Sequence, residues 1–327
     1  MDLPLLGKTA VVTGSSRGIG ASIAQKLAAD GANVIINYHA DDAPACVVAN
    51  TINAREGGRA IVVKADVATI EGGKLLLEKC TEKLGVPDIL VLNAGVMGHK
   101  PLAEVDEEYY DLHFNTNVKG PLFLVKAAAG VMKSGSRIIF VSTTLTKATT
   151  ILPMGLIFAA TKGAIEQTVR VLAKDLGERG MTVNAIAPGA VDTPLFREGK
   201  PAHLVNWIAQ LHPQKRIPVP DEISPIVVFL AKDEAGWING QTIMVNGVST
   251  LCTCEHGRRL HNLDRDSQYK QKTRSRDDES ELFVLFSFRS SVHQDFLLTT
   301  LSLSLSTVDR SIYSSSSKEY IILKQYK

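Results

Sequence analysis

The chain of 327 residues is poor in cysteine, with four in all, and their placement excludes a disulfide framework. Cys46 and Cys80 stand alone in apolar, helix-like stretches, whereas Cys252 and Cys254 are close neighbours. That usage fits a reducing compartment. Long apolar runs are missing too, and none reaches the roughly 20 residues that a helix needs to span a bilayer. Residues 1–6 carry an acid and a proline and lead straight into a strand-like run, so no basic and apolar leader is legible there. The expectation is a soluble, cytoplasmic protein without a membrane partner. Charge of one sign is scarce as well: the formal net charge is +2, and the basic residues of the first 250 positions are scattered. A nucleic-acid binder would concentrate them, so the expected partner is a small molecule.

What is present is a large supply of apolar residues, 45% of the chain, enough for one full core. The composition changes abruptly near residue 250. From 251 to 327 there is no alanine, no proline and a single glycine, Gly257. This stretch holds a charged run (274–281), an apolar strip (282–288), a Leu/Ser alternation (301–306) and a serine run (314–317). Such sequence seldom builds a packed core. The expected organisation is one domain over 1–250 and a low-complexity, disordered tail over 251–327. The tail reads as a disordered extension, a partner-binding segment, or translated sequence not under selection for folding, and composition favours the last. Cys252, Cys254 and His256 lack a distant fourth ligand, and no metal site is expected.

Within the first 250 residues, short β-branched runs alternate with longer amphipathic ones. Strands are predicted at 9–12, 32–37, 60–64, 88–92, 137–141, 182–186 and 242–245. Runs that are apolar almost throughout belong to a sheet buried on both faces, which means parallel strands with helical crossovers. The fold class is therefore α/β: a doubly wound parallel sheet of about seven strands in three αβα layers. Between the first strand and first helix lie Thr13, Gly14, Ser15, Ser16, Arg17, Gly18, Ile19 and Gly20. A glycine turn that opens a helix presents free N–H groups and a positive dipole end, and it reads as a cradle for a dinucleotide phosphate. Ligands of such sheets sit beyond the carboxyl ends of the strands. Those ends carry Asn37-Tyr38, Asp66, Asn93-Ala94-Gly95, Ser142-Thr143-Thr144 and Pro188-Gly189.

Over residues 5–249 these motifs resemble the short-chain dehydrogenase/reductase family, as found among fungal ketoreductases. The matching residues are Thr13-Gly14 with Gly18-Ile19-Gly20, Asp66-Val67, Asn93-Ala94-Gly95, Asn117-Val118-Lys119-Gly120, Ala160-Thr161-Lys162-Gly163-Ala164, Pro188-Gly189 with Thr193, Asn239-Gly240 and Val245-Asn246-Gly247. The resemblance implies a Rossmann-like single domain, a nicotinamide cofactor, carbonyl reduction or alcohol oxidation, and a homodimer or homotetramer built on long helices at 106–132 and 155–179. It places Gly14, Gly18 and Gly20 at the pyrophosphate, Ile19 behind the nicotinamide, Asp66 at the adenine amino group and Asn93 to Gly95 along the ribose. Thr193 would hold the carboxamide, with Val191 beside it. NAD users of this fold place a carboxylate at the end of the second strand. Here Asn37 and Tyr38 stand there, no acid appears until Asp41, and Arg17 suits a 2′-phosphate. The expected cofactor is NADP.

The family's reaction uses Tyr-x-x-x-Lys, a phenol that moves the proton and a lysine one turn later that lowers its pKa and binds ribose. This chain has Phe158 and Lys162, and no tyrosine lies between Tyr110 and Tyr269. The resemblance assigns Asn117 to the water next to Lys162, and a hydroxyl that polarises the carbonyl to Thr143 or Ser142. Two functions follow: an NADPH-dependent oxidoreductase acting on a ketone or quinone carbonyl of an aromatic or polyketide-like metabolite, or a catalytically silent relative that binds nucleotide or a partner. The segment 195–216, with Phe196, Trp207, Ile208 and Leu211, and the trio Pro153, Met154 and Leu156 suggest an apolar substrate pocket. His203 and His212 are assigned no role, a solvent-facing histidine being the commoner case.

Overall fold

The computed structural model describes residues 3–55, 57–149 and 151–248, together with the backbone of three strands nearer the C-terminus. The chain divides into two compact units, Met1–His256 and Gly257–Lys327. In the first, β1 (Thr9–Val12), α1 (Gly18–Ala29), β2 (Asn33–Tyr38), α2 (Ala43–Asn53), β3 (Ala60–Lys64), α3 (Ile70–Leu84) and β4 (Ile89–Leu92) alternate. There follow α4 (Glu107–Phe114), α5 (Gly120–Ala129), β5 (Arg137–Val141), α6 (Leu156–Gly177), β6 (Thr182–Pro188), α7 (Pro194–Arg197), α8 (Ala202–Leu211), α9 (Ser224–Ala231) and β7 (Thr242–Val245). In the second unit, β8 (Phe283–Phe288), β9 (Val308–Ser315) and β10 (Lys318–Gln325) pair antiparallel in the order β8-β10-β9. The apolar strip expected at 282–288 falls on β8. The Cys252, Cys254 and His256 group, the charged run and the Leu/Ser alternation lie outside the described residues.

The seven strands of the first unit form one parallel sheet in the order β3-β2-β1-β4-β5-β6-β7. Side chains alternate across a strand, so each strand must supply apolar groups to two layers. Ala10, Val12, Val34, Ile36, Ile89 and Val91 pack with α1, α2 and α9 on one face. Val11, Ile35, Leu90, Leu92, Ile138 and Phe140 pack with α3, α5 and α6 on the other. This is why the strand sequences show continuous apolar runs rather than alternation. The order reverses between β1 and β4, and the backbone splays there at the carboxyl edge.

The helix expected over 106–132 is not one continuous α-helix. Between α4 and α5 the residues Asn115–Lys119 form a π turn, which contains Asn117. Pro121, at the start of α5, has no N–H to donate to the carbonyl four residues back, which is that of Asn117. The ladder widens at this point, as π turns do at many functional sites. The helix expected over 155–179 is present as α6. No helix among the described residues is long and apolar enough to cross a membrane.

Two neighbours on α3 test the layer assignment. Leu76 is fully buried and Leu75 is 42% exposed. Leu76→Ala is expected to cost roughly 2–5 kcal/mol and Leu75→Ala about 0.5 kcal/mol or less, read as shifts in urea unfolding.

Candidate active site

The glycine turn is held from two sides. The Thr13 hydroxyl accepts from the N–H groups of Asn93 (2.9 Å) and Ala94 (3.0 Å) and donates to the carbonyl of Val91 at 3.3 Å. The Asn93 side chain returns two bonds, to the carbonyls of Thr13 (2.9 Å) and Gly14 (3.0 Å). On the far side, Asn37 Oδ1 accepts from Gly14 N at 3.0 Å, and Asn37 Nδ2 donates to the carbonyl of Ala65 at 3.0 Å. Asn37 is 1% exposed, with its amide spent on backbone. It shapes the turn from behind, where the sequence reading sets it beside the cofactor.

Gly14 has a φ of +59°, and a Cβ there would lie 2.9 Å from Ala94 Cα, so only glycine fits. At Gly20 a Cβ would collide with the Asn93 side chain and the Gly14 carbonyl. The helix that follows begins uncapped: Arg17 precedes it in extended conformation and offers no side-chain bond to its first turn. Thr69, Asp106 and Thr193 cap α3, α4 and α7, whereas α2, α5, α6, α8 and α9 begin without a side-chain cap, as α1 does. What sets the start of α1 apart is its glycine turn, with Gly14 and Gly18 at positive φ and no room for a Cβ at Gly20, a geometry that fits a phosphate group at the positive end of the helix dipole. Ile19 and Val191 pack on one shared apolar cluster beside it. Asp66 is half-exposed, accepts from Ala68 N at 3.0 Å and lies 3.6 Å from His39 Nδ1. Thr193 touches the position a Gly18 side chain would take, and its hydroxyl accepts from Phe196 N at 3.1 Å, so it also starts α7.

At the neighbouring end of the sheet, Lys162 is 6% exposed and its Nζ donates to the Val141 carbonyl at 2.7 Å. Burial pulls its pKa down to about 8. The Phe158 ring, itself buried, has its centroid 5.7 Å from that Nζ, a cation–π distance. Asn117 accepts from Val96 N at 2.9 Å and donates to the Val96 carbonyl (3.0 Å) and to Thr161 Oγ1 (3.1 Å). Thr161 in turn donates to the Phe158 carbonyl at 2.7 Å. This chain of bonds joins the π turn, the β4 loop and the first turn of α6. Gly95 sits in the angle, where a Cβ would lie 3.1 Å from Asn117 Oδ1 and 3.5 Å from Lys162 Nζ.

The two hydroxyls left open by sequence separate here. Ser142 donates to Glu166 Oε1 at 3.0 Å, and Thr146 donates to the same oxygen at 2.6 Å. Lys147 Nζ lies 3.3 Å from Glu166 Oε2. Ser142 is thus committed to helix α6. Thr143 Oγ1 accepts weakly from Leu145 N at 3.4 Å, and its proton has no acceptor among the described residues. Of the two hydroxyls, Thr143 is the one whose proton is uncommitted among the described residues. The sequence reading overlooked Glu166. Its signal was spacing: Phe158, Lys162 and Glu166 recur every fourth residue on one stripe of an amphipathic helix.

Apolar groups surround this end. Leu152, Met154, Leu156 and Leu195 are each 40–44% exposed. In the segment 195–216, Phe196 and Trp207 are half-buried and His203 is exposed. His212 differs from the solvent-facing expectation: it is 9% exposed, accepts from Gln214 N at 3.0 Å through Nδ1, and its ring packs against Gly247. Among the described residues, no group of three His, Cys, Asp or Glu could hold a metal ion.

Comparison with known proteins adds three relatives and a family. Residues 14–248 match the family model described as enoyl-(acyl carrier protein) reductase. A hydroxynaphthalene reductase-like protein of Metarhizium acridum is 38% identical over 257 residues, covering 75% of this chain and 96% of its own. An NADPH-dependent aldehyde reductase-like protein, chloroplastic, of Arabidopsis thaliana is 40% identical over 258 residues, covering 75% and 95%. The crystal structure of the angucycline C-6 ketoreductase LanV with bound NADP superposes with a TM-score of 0.71 at 38% identity, covering 76% of this chain and 98% of that one.

Two measurements test this geometry. Folded Lys162 titrates near 8 against 10.5 for a free side chain, so below pH 8 both states carry the proton and the folded state bears the burial cost. Between those values the folded chain releases its proton first, and the contribution of Lys162 to stability rises with pH. The stability advantage of Lys162→Met over the parent is expected to shrink by about 3 kcal/mol from pH 7 to pH 10.5. Glu166→Ala strands the buried Ser142 hydroxyl, while the half-buried Thr146 hydroxyl keeps the Thr143 carbonyl at 3.0 Å as an acceptor, and the change is expected to lower unfolding free energy by about 1–3 kcal/mol, with Glu166→Gln costing less.

Proposed function

The chain belongs to the short-chain dehydrogenase/reductase family, and on that premise we propose that it is an NADPH-dependent oxidoreductase that reduces a ketone or quinone carbonyl of an aromatic, polyketide-like metabolite. The observation that carries this reading is the glycine-lined start of α1, set at the same sheet edge as Thr143, Asn117 and Lys162. Support for the phosphate form comes from Arg17, which is exposed and has no ion-pair partner among the described residues, and from the absence of a carboxylate at the end of β2. The names of the Metarhizium relative and of LanV, together with the apolar surround, support an aromatic substrate.

When bound, NADPH supplies a hydride. The residues of this chain do the rest. Gly14, Gly18, Gly20 and the first N–H groups of α1 receive the pyrophosphate, Ile19 and Val191 back the nicotinamide, and Asp66 and Asn93 to Gly95 flank the adenosine. Thr193 meets the carboxamide. Lys162 holds ribose, and Thr143 donates to the substrate oxygen. Phe158 fills the volume of the family's phenol without a proton to give, and a positioned general acid is worth about 10²–10⁴ in rate. A catalytically silent nucleotide-binding role is the second reading, favoured by that ring and by the bond from Lys162 to the Val141 carbonyl. The domain spans 1–250, with 251–327 a tail beyond it. It assembles as a homodimer or homotetramer through α4 to α6, where Tyr110, Leu112, Leu122 and Val171 are exposed apolar groups. The free thiols Cys46 and Cys80 suit work in the cytoplasm.

Binding of NADPH and single-turnover reduction of aromatic ketones and quinones test the proposal. Phe158→Tyr is expected to raise the single-turnover rate by about 10²–10⁴ with little change in NADPH affinity. Absence of NADPH binding overturns the enzyme reading, and binding without reduction by either chain supports the silent one. Arg17→Ala is expected to weaken NADPH by about tenfold, from loss of a charge-assisted contact, while NADH affinity holds.

A further inference from the structure

The loops that follow β4 and β6 leave the sheet on either side of β5, because the strand order there is β4-β5-β6. His99 belongs to the first loop, and Lys200 to the second, between α7 and α8. Lys200 Nζ lies 3.0 Å from His99 Nε2. The contact thus joins two loops that start at the carboxyl ends of the strands flanking β5, the strand that leads into Thr143. The Phe196 ring lies 5.1 Å from the same ammonium.

Three cations on the flanking segments are matched to acids. Lys100 pairs with Asp106 at 2.5 Å, Arg197 with Asp192 at 2.5 Å, and Arg216 with Glu222 at 2.6 Å. His99 and Lys200 have only each other, among the described residues, and form no ion pair. Burial lowers the pKa of both, Lys200 lowers that of His99 further, and Glu198 opposes the shift at Lys200 from outside ion-pair distance. A half-buried ammonium that has only a neutral ring nitrogen as acceptor favours any carboxylate able to reach it.

We propose that His99 and Lys200 form an anchor above the active site for a carboxylate carried by the substrate. The proposal rests on the aromatic-carbonyl reading and narrows it to aromatic carbonyl compounds bearing an acid group. The carboxylate accepts from Lys200 Nζ and displaces His99 as its acceptor, while the ring system lies toward Thr143 and Phe196.

The test is equilibrium binding to the full chain saturated with NADPH, using 3-hydroxy-2-naphthoate and its neutral counterpart 3-hydroxy-2-naphthamide. The acid is expected to bind about tenfold more tightly than the amide, in the range of one charge-assisted contact at a partly exposed site. Lys200→Met is expected to abolish that preference and leave amide binding unchanged, which also shows the variant to be folded. Lys200→Arg retains the preference, and His99→Ala reduces it. Equal binding of acid and amide, or a preference that survives Lys200→Met, overturns the anchor and leaves the aromatic reading standing. Failure of both ligands to bind overturns the two together.

Discussion

The ligand edge of this molecule depends on how the backbone satisfies its polar groups at the seam between β1 and β4. Helical crossovers leave this seam in opposite directions, so the strand ends there have no further ladder to join. Thr13 and Asn93 fill the gap with hydroxyl and amide bonds across it, and Asn37 ties the turn to β2. These side chains take up the turn's own polar groups and hold the glycine backbone in the left-handed conformation that only a residue without a Cβ adopts freely.

A second constraint runs along α6. Phe158, Lys162 and Glu166 occupy one stripe, on which Lys162 and Glu166 meet the end of β5 and the loop beyond it and Phe158 lies against Lys162. Glu166 gathers Ser142, Thr146 and Lys147, which holds the start of the loop and leaves the Thr143 hydroxyl proton uncommitted. Lys162 reaches the Val141 carbonyl. Where the family has a phenol beside this ammonium, the chain has a phenyl face, which attracts the charge without exchanging a proton. A single oxygen atom therefore separates this ring from a group with a proton to give.

Much of this was legible in the residues. The strands announce themselves because a sheet covered on both faces demands unbroken apolar runs, and observed boundaries differ from the expected ones by a residue or two, as where β6 continues to Pro188. The turn at Gly14 was legible because left-handed backbone and close approach leave few alternatives to glycine. Less legible were residues whose chemistry depends on a distant partner. Asn37 stands at the expected strand end, yet it turns inward to backbone that comes from β3. Helix 106–132 was read as continuous, although Pro121 carried the information that a carbonyl four residues back would lose its donor. His212 lies in a polar stretch, and its burial comes from Gly247, 35 positions away.

By itself the sequence determined the parallel αβα architecture, the position of the glycine turn before α1 and the phenyl ring at 158, because each follows from local side-chain volume, periodicity or backbone freedom. Only the tertiary structure decided which of Ser142 and Thr143 keeps a free hydroxyl, that Glu166 matters, and that His99 meets Lys200. Those facts depend on which donors and acceptors long-range packing brings within hydrogen-bond reach, and a linear pattern carries no distances between elements.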